Sequence, residues 1–360
     1  MSDRATVVPT VPRELASRLA RFRTSDDVAA VRQLSSTIAG LVACWVCAWA
    51  AARRSSLAAV FLSLLAGGFL LRLFVIQHDC GHRSFLRSRI ANDVLGFLLG
   101  VLTLTPYHQW RRNHALHHAH PCDLDRRGHG DIRLLTTGEY LGLSPLRRAG
   151  YRIFRHPCFL FFVAPLWHFV VLQRFPYYSR WSWKRHRRID SADRGTWRRE
   201  RVSVHATNVL VLGTTLALGQ LIGFGTLAIV QLPAAALAAT AGVWLFHVQH
   251  VFDGARWTRH QSWDPVVASV HGSSYYALPG PLRWITANIG FHHIHHLDSR
   301  IPSYHLSRCF ADIPELRTSP AVTLRDTRRV ASLSLWDEDL ARFVPFRDVR
   351  GRPARADLGA

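Results

Sequence analysis

Four uncharged apolar runs decide what this chain can fold into. Residues 34–52 form 19 uncharged residues rich in Ala, Val, Leu and Trp, and residues 55–71 form another 17, continuing past Arg72 to Ile76. Two more runs, 206–223 and 226–247, follow later, separated by Gly223-Phe224-Gly225. A helix needs about 20 apolar residues to cross the hydrocarbon of a bilayer. The four runs therefore predict an all-α membrane protein with four transmembrane helices in two hairpins, spans 34–52 with 55–76 and 206–223 with 226–247. Composition agrees. The chain is 48% hydrophobic yet carries a net charge of +21. That pairing suits basic segments facing anionic lipid. Nucleic-acid binding is not expected, because the basic residues flank the apolar runs and form no nucleic-acid motif. The 6 scattered cysteines suggest no disulfide framework, and the polar, Arg-rich opening does not read as a cleavable signal peptide.

The remaining segments are placed by parity and charge. Residues 1–33 read as a basic cytoplasmic arm with a short amphipathic helix around Glu14–Phe22. Residues 34–310 form the membrane-embedded domain and 311–360 a cytoplasmic tail. Residues 94–107 number only 14, too few to cross comfortably, whereas 157–173 number 17 and could. Three histidine groups follow the second run, the 94–107 segment and the last run. They can share one site only if an even number of crossings separates the first from the third. Segments 94–107 and 157–173 are therefore expected to be interfacial or re-entrant. Ten Lys and Arg in 174–201 place that stretch in the cytoplasm. The Arg53-Arg54 turn pulls the other way and is outweighed. The expectation is a cytoplasmic helical cap, over 77–205 and 248–360, holding the chemistry.

That chemistry is read from histidine. The groups are His78-Asp-Cys-Gly-His82, His114-Ala-Leu-His117-His118 and His292-His293-Ile-His295-His296. Neutral imidazole offers a nitrogen lone pair at neutral pH, and residues four apart share a helix face. His78/His82, His114/His118 and His292/His296 have that spacing. In both HxxHH groups the adjacent pair diverges by about 100°, so two metals side by side suit the set better than one. His250, at the end of the last span, is placed to add a ninth ligand to the eight in the boxes. Iron, copper and zinc all accept such a nitrogen-rich site. His247 and His293 fall off the spacing and are expected to stand behind the ligands. Asp79, Asn288 and Asp298 are candidates to orient the imidazoles. The other ten histidines are read as surface or capping residues.

At these residues the chain resembles the integral-membrane fatty acid desaturases. The three boxes stand in that family's order around paired apolar spans. "HDCGHRSF", "HALHH" followed by "DLDRRGHGDI", "VQHVFDGARW" and "NIGFHHIHHLDSRIPSY" resemble its acyl-lipid, Δ12/omega-6-like branch, over roughly residues 35–310. The resemblance implies a non-haem centre of two Fe, with O2 as co-substrate and formation of a cis double bond in an acyl chain on a membrane lipid. The ligands it implies are His78, His82, His114, His117, His118, His292, His295 and His296, with His250 as the further histidine before the last box. His247 departs from the aromatic residue expected in this branch. Trp110, Trp257, Tyr275 and Tyr276 are candidates for the acyl path, although anchoring or core roles suit them better. Breaking an unactivated methylene C–H needs an oxidant that no side chain supplies, so the metals carry that step. Two electrons per turnover are expected from a separate donor such as ferredoxin, flavodoxin or rubredoxin. The expected location is a bacterial inner membrane, with the site on its cytoplasmic side. The rival within the same chemistry is a di-iron hydroxylase or ketolase acting on a lipid or carotenoid. A metal transporter would place polar residues in mid-span, and these spans are nearly clean.

Overall fold

The computed structural model describes residues 13–128, 130–176 and 197–352. His129, His186 and most of the basic stretch 174–201 lie outside the described residues. Four helices are long and apolar enough to cross a membrane. They are α2 (Asp27–Ala52), α3 (Ser56–His82), α7 (Arg198–Ile222) and α8 (Phe224–His250), and they pair as two hairpins. Asp26 caps α2 by accepting from the Val28 and Ala29 N–H groups at 2.9 and 3.2 Å. Ser55 caps α3 by accepting from Ala58 N–H at 3.3 Å. Gly223, at φ 86°, makes the left-handed turn between α7 and α8. Val42, Val46, Phe61, Leu212, Leu216 and Leu221 are exposed along these helices, apolar side chains of the kind lipid covers.

Helix α3 is the central post. It packs against both α2 and α8, with Leu70, Leu73 and Ile76 buried. Its approach to α8 is close: a Cβ at Gly67 would lie 2.8 Å from the Ala234 carbonyl oxygen. Pro233, inside α8, interrupts the hydrogen-bond ladder there. Ser63 of α3 covers the gap, donating to the Val230 carbonyl at 2.6 Å and accepting from Ala234 N–H at 3.0 Å. At about 1.5 Å per residue, helices of this length exceed a hydrocarbon core of about 30 Å. Their last turns, which carry His78, His82 and His250, therefore stand at or beyond its edge.

The two shorter apolar segments bend. Helix α4 (Arg89–Leu102) turns by 106° into α5 (Tyr107–Ala119), and α6 (Pro145–Arg155) turns by 62° into the helical stretch Phe159–Arg174. The Tyr107 hydroxyl donates to the Cys80 carbonyl at 2.8 Å, and Arg111 Nε donates to the Gly81 carbonyl at 2.8 Å. Both bonds moor α5 to the end of α3, beside the first histidine box.

Above the spans lies a cap that is mostly helical but includes two small sheets. Strands β1 (Leu135–Thr136), β4 (Leu335–Asp337) and β5 (Arg342–Val344) pair in the order β1-β4-β5. The first pair is parallel, with Leu135 opposite Leu335, and the second antiparallel, with Leu335 opposite Val344. Strands β2 (Tyr275–Ala277) and β3 (Ala321–Thr323) pair in parallel, with Tyr275 opposite Ala321. Trp336 and Phe343 join the same buried cluster as Val248 and Phe252, so residues 330–344 fold onto the end of α8. Three short helices complete the site's frame: α9 (Gly280–Ile285), α10 (His292–Leu297) and α11 (Ser303–Asp312). The amphipathic helix α1 (Arg13–Ala20) lies over α10 and α11 through Leu19 and the following Phe22, against Ile294, Ile301 and Leu306.

Candidate metal centre

The ends of α3, α5 and α8 and the whole of α10 bring nine imidazoles together. They form two nests, His78, His82, His114, His118 and His295 in one, and His117, His250, His292 and His296 in the other. Within each nest the candidate ligand atoms lie within 4.8 Å of one another. Each HxxHH box is divided as its helix geometry requires. Residues four apart point one way and the adjacent histidine points into the neighbouring nest. Thus α5 sends His114 and His118 to the first nest and His117 to the second, while α10 sends His295 to the first and His292 and His296 to the second. The nests adjoin: the rings of His118 and His296 stack at 4.3 Å between centroids.

The donor set fits metal ions. In the first nest Nε2 atoms stand 2.9 Å apart between His82 and His114, 3.1 Å between His114 and His118, and 2.9 Å between His118 and His295. In the second, His292 Nε2 lies 3.0 Å from both His250 Nε2 and His296 Nε2. Metal–nitrogen bonds of about 2.1 Å place neighbouring ligand nitrogens roughly 3.0 to 3.4 Å apart. The nitrogens of each nest therefore stand close enough together that one ion could be held by several of them. His117 supplies a second indication. Its Nδ1 sits 2.5 Å from Asp131 Oδ1, and its Nε2 is buried without a hydrogen-bond partner. Asp131 thus holds the proton on Nδ1 and leaves a lone pair on Nε2, facing the second nest.

Electrostatics agrees with neutral ligands. Burial holds His292, His295 and His296 well below the ordinary histidine range, and the neighbouring imidazoles push the same way. Burial pushes the Asp131 carboxyl up, but His117 and the Gly128 N–H outweigh it and leave it below its ordinary value.

The candidate orienting residues take different places. Asp79 touches the site, with Oδ1 3.2 Å from His78 Nδ1 and Oδ2 accepting from Ser303 N–H at 2.7 Å, which ties the first box to α11. Asn288 reaches the Ser303 carbonyl at 3.3 Å, and Asp298 pairs with Arg23 and Arg300; neither contacts an imidazole of the nests. His247 donates to the Val330 carbonyl at 3.1 Å and packs on Phe161, outside both nests. His293 packs between Tyr275 and Phe310, also outside them. Trp110 stacks on His114 at 4.6 Å, and Trp257 donates to the His250 carbonyl at 3.2 Å, so these two tryptophans brace the nests. Tyr275 and Tyr276 lie in β2, the former stacked on Phe291 and the latter hydrogen-bonded to Trp244. Asp131 escaped the reading of candidate site residues, because it stands 14 residues beyond His117 with no periodic relation to it.

Membrane-length helices capped by two adjoining nests of buried imidazoles define an integral-membrane protein with a histidine-box di-metal site. Comparison with known proteins names the family. Residues 55–327 match the family model "Fatty acid desaturase". The chain is 36% identical to a "Fatty acid desaturase" of Bacillus subtilis over 95% of this chain and 92% of that one. It is 26% identical to the "sn-1 oleoyl-lipid 12-desaturase" of Anabaena variabilis over 70% of this chain and 67% of the other. A shorter match, 33% identical, covers 28% of this chain and 29% of the "sn-1 acyl-lipid omega-3 desaturase (ferredoxin)" of Nostoc. The chain belongs to the fatty acid desaturase family: it is a membrane oxidoreductase acting on a fatty acyl substrate with electrons from a donor.

Proposed function

We propose that this enzyme is an acyl-lipid desaturase of the Δ12-like type. It inserts a cis double bond into a fatty acyl chain carried on a membrane lipid, consuming O2 and two electrons per turnover. The observation that carries the reading is the division of nine imidazoles between two adjoining nests. In this reading the nests hold two irons, with His78, His82, His114, His118 and His295 on one and His117, His250, His292 and His296 on the other. Iron bound there supplies the oxidant that an unactivated methylene requires. The chain's own groups present neutral nitrogens and hold the imidazoles in place. Asp131 keeps the proton on His117 Nδ1, Asp79 braces His78 against α11, and Trp110 packs on His114. The apolar spans keep the enzyme in the phase where its substrate resides. The site faces the cytoplasm of a bacterial inner membrane, where a soluble carrier such as ferredoxin, flavodoxin or rubredoxin reaches it.

The test is expression in a desaturase-free bacterial host, with the His292→Ala variant alongside, and gas chromatography–mass spectrometry of total membrane fatty acids. A new unsaturated species, absent from the variant, is expected. A hydroxylated or oxo product would move the enzyme to the sister chemistry, and an unchanged profile in a host supplying all three donors would contradict the proposal.

A further inference from the structure

Helix α7 packs against both arms of the bent α4–α5 pair. A groove of about 530 Å³ opens there, with Arg198, Arg199, His108 and Ser203 on its polar side and Phe97 and Val202 on its apolar side. Its floor is tied together, since Ser203 Oγ accepts from His108 N–H at 3.2 Å. The neighbouring arginines are engaged: Arg83 and Arg111 with Asp93, and Arg112 with Glu200 at 3.5 Å. Arg198 and Arg199 have no carboxylate partner among the described residues.

Position narrows what these two charges meet. Farther along α7, Val209, Leu212 and Leu216 are exposed, as are Ile90, Val94 and Leu98 on α4. Both helices present these apolar side chains to lipid, and the groove sits where α7 emerges from them. Two guanidiniums with no carboxylate partner among the described residues, above an apolar wall, match a phosphate attached to acyl chains; a soluble anion would leave Phe97 and Val202 unused. We propose that this groove binds the phosphate of a membrane glycerophospholipid, with the glycerol and upper acyl carbons on Phe97 and Val202. Along α5, six residues separate His108 from His114, a rise of about 9 Å. A lipid seated there lies alongside the second histidine box without entering the nests.

The experiment is a binding titration by native mass spectrometry on the purified full-length protein in detergent. The probes are phosphatidylglycerol, diacylglycerol and inorganic phosphate. The Arg198→Gln/Arg199→Gln variant is expected to bind phosphatidylglycerol at least about tenfold more weakly. Arg198→Lys/Arg199→Lys is expected to retain most of the binding, and diacylglycerol to bind all three proteins alike. Phosphatidylglycerol affinity unchanged in the Gln variant overturns the proposal. So does an equal loss for diacylglycerol, or displacement of the lipid by inorganic phosphate at matched concentration. Should the Gln variant fail to fold, Val202→Trp fills the apolar wall with both arginines intact, and undiminished lipid binding by it would likewise overturn the proposal. The readout needs no turnover, so it stands or falls apart from the desaturation reading.

Discussion

Asp131 holds His117 in the tautomer that leaves Nε2 free, and nothing else in the second nest does this for that ring. Asp131→Asn keeps the shape but offers Nδ1 a neutral and equally satisfiable partner. Loss of such a partner typically weakens metal affinity by about 10- to 100-fold. Chelator titration of the purified variant should show this loss confined to one of two metals; unaltered retention of both would remove Asp131 from the site. The residue also shows where reading the chain stops. His78, His82, His114, His118, His292 and His296 were legible as candidates because a spacing of four residues is a property of the helix itself. The divergence of the adjacent histidines in each HxxHH box was legible for the same reason, but which nest each would enter was not. Asp131, Trp110 and Trp257 reach the nests through tertiary packing, which leaves no periodic trace. Asn288 and Asp298 show the converse: nearness in sequence to a box did not bring either to an imidazole of the nests.

At the scale of elements, the close crossing of α3 and α8 sets the distance between His78/His82 and His250. Gly67→Val would drive a branched side chain into the Ala234 carbonyl and Leu237. Overpacking of this kind costs about 1–3 kcal/mol, so a lower melting temperature and weaker metal retention are expected. A variant as stable as the parent would show that the crossing tolerates slack. Helix α10 makes a different prediction. His292, His295 and His296 are held neutral in the fold, whereas in the unfolded chain each protonates near the ordinary value of 6.5. Below that pH the unfolded state binds more protons than the native one, so stability falls as pH drops. Each such group contributes up to about 1.4 kcal/mol per pH unit. The melting temperature should hold above pH 6.5 and decline steadily below it. A flat profile down to pH 5 would mean that these rings already carry protons in the fold. The spans were readable from apolar run length, and so was an interfacial or re-entrant course for 94–107, but the place of the bend between α4 and α5 was not. It depends on Tyr107 packing against Gly96, where a Cβ would lie 2.3 Å from the ring, a long-range fit with no local signal.

For the whole molecule, the four spans supply an apolar phase and an even number of crossings, and the cap gathers all nine imidazoles at one end. Both chain ends should therefore lie on one side of the membrane, which the proposed orientation makes the cytoplasmic side. A C-terminal green fluorescent protein fusion should fluoresce and a C-terminal alkaline phosphatase fusion stay silent; the reverse pattern would invert the orientation. The fold class and the clustering of the histidines were legible because both rest on repeating patterns, apolar length and helical spacing. The small sheets of the cap were not, since strands of two or three residues carry too little alternation to register. The central claim is that two nests hold two irons, and the most direct test is metal content per chain by plasma mass spectrometry. The parent, His82→Ala and His250→Ala should be purified side by side. Two irons per parent chain, falling toward one in each variant, is the predicted result. A single metal in the parent, or zinc in place of iron, would contradict it.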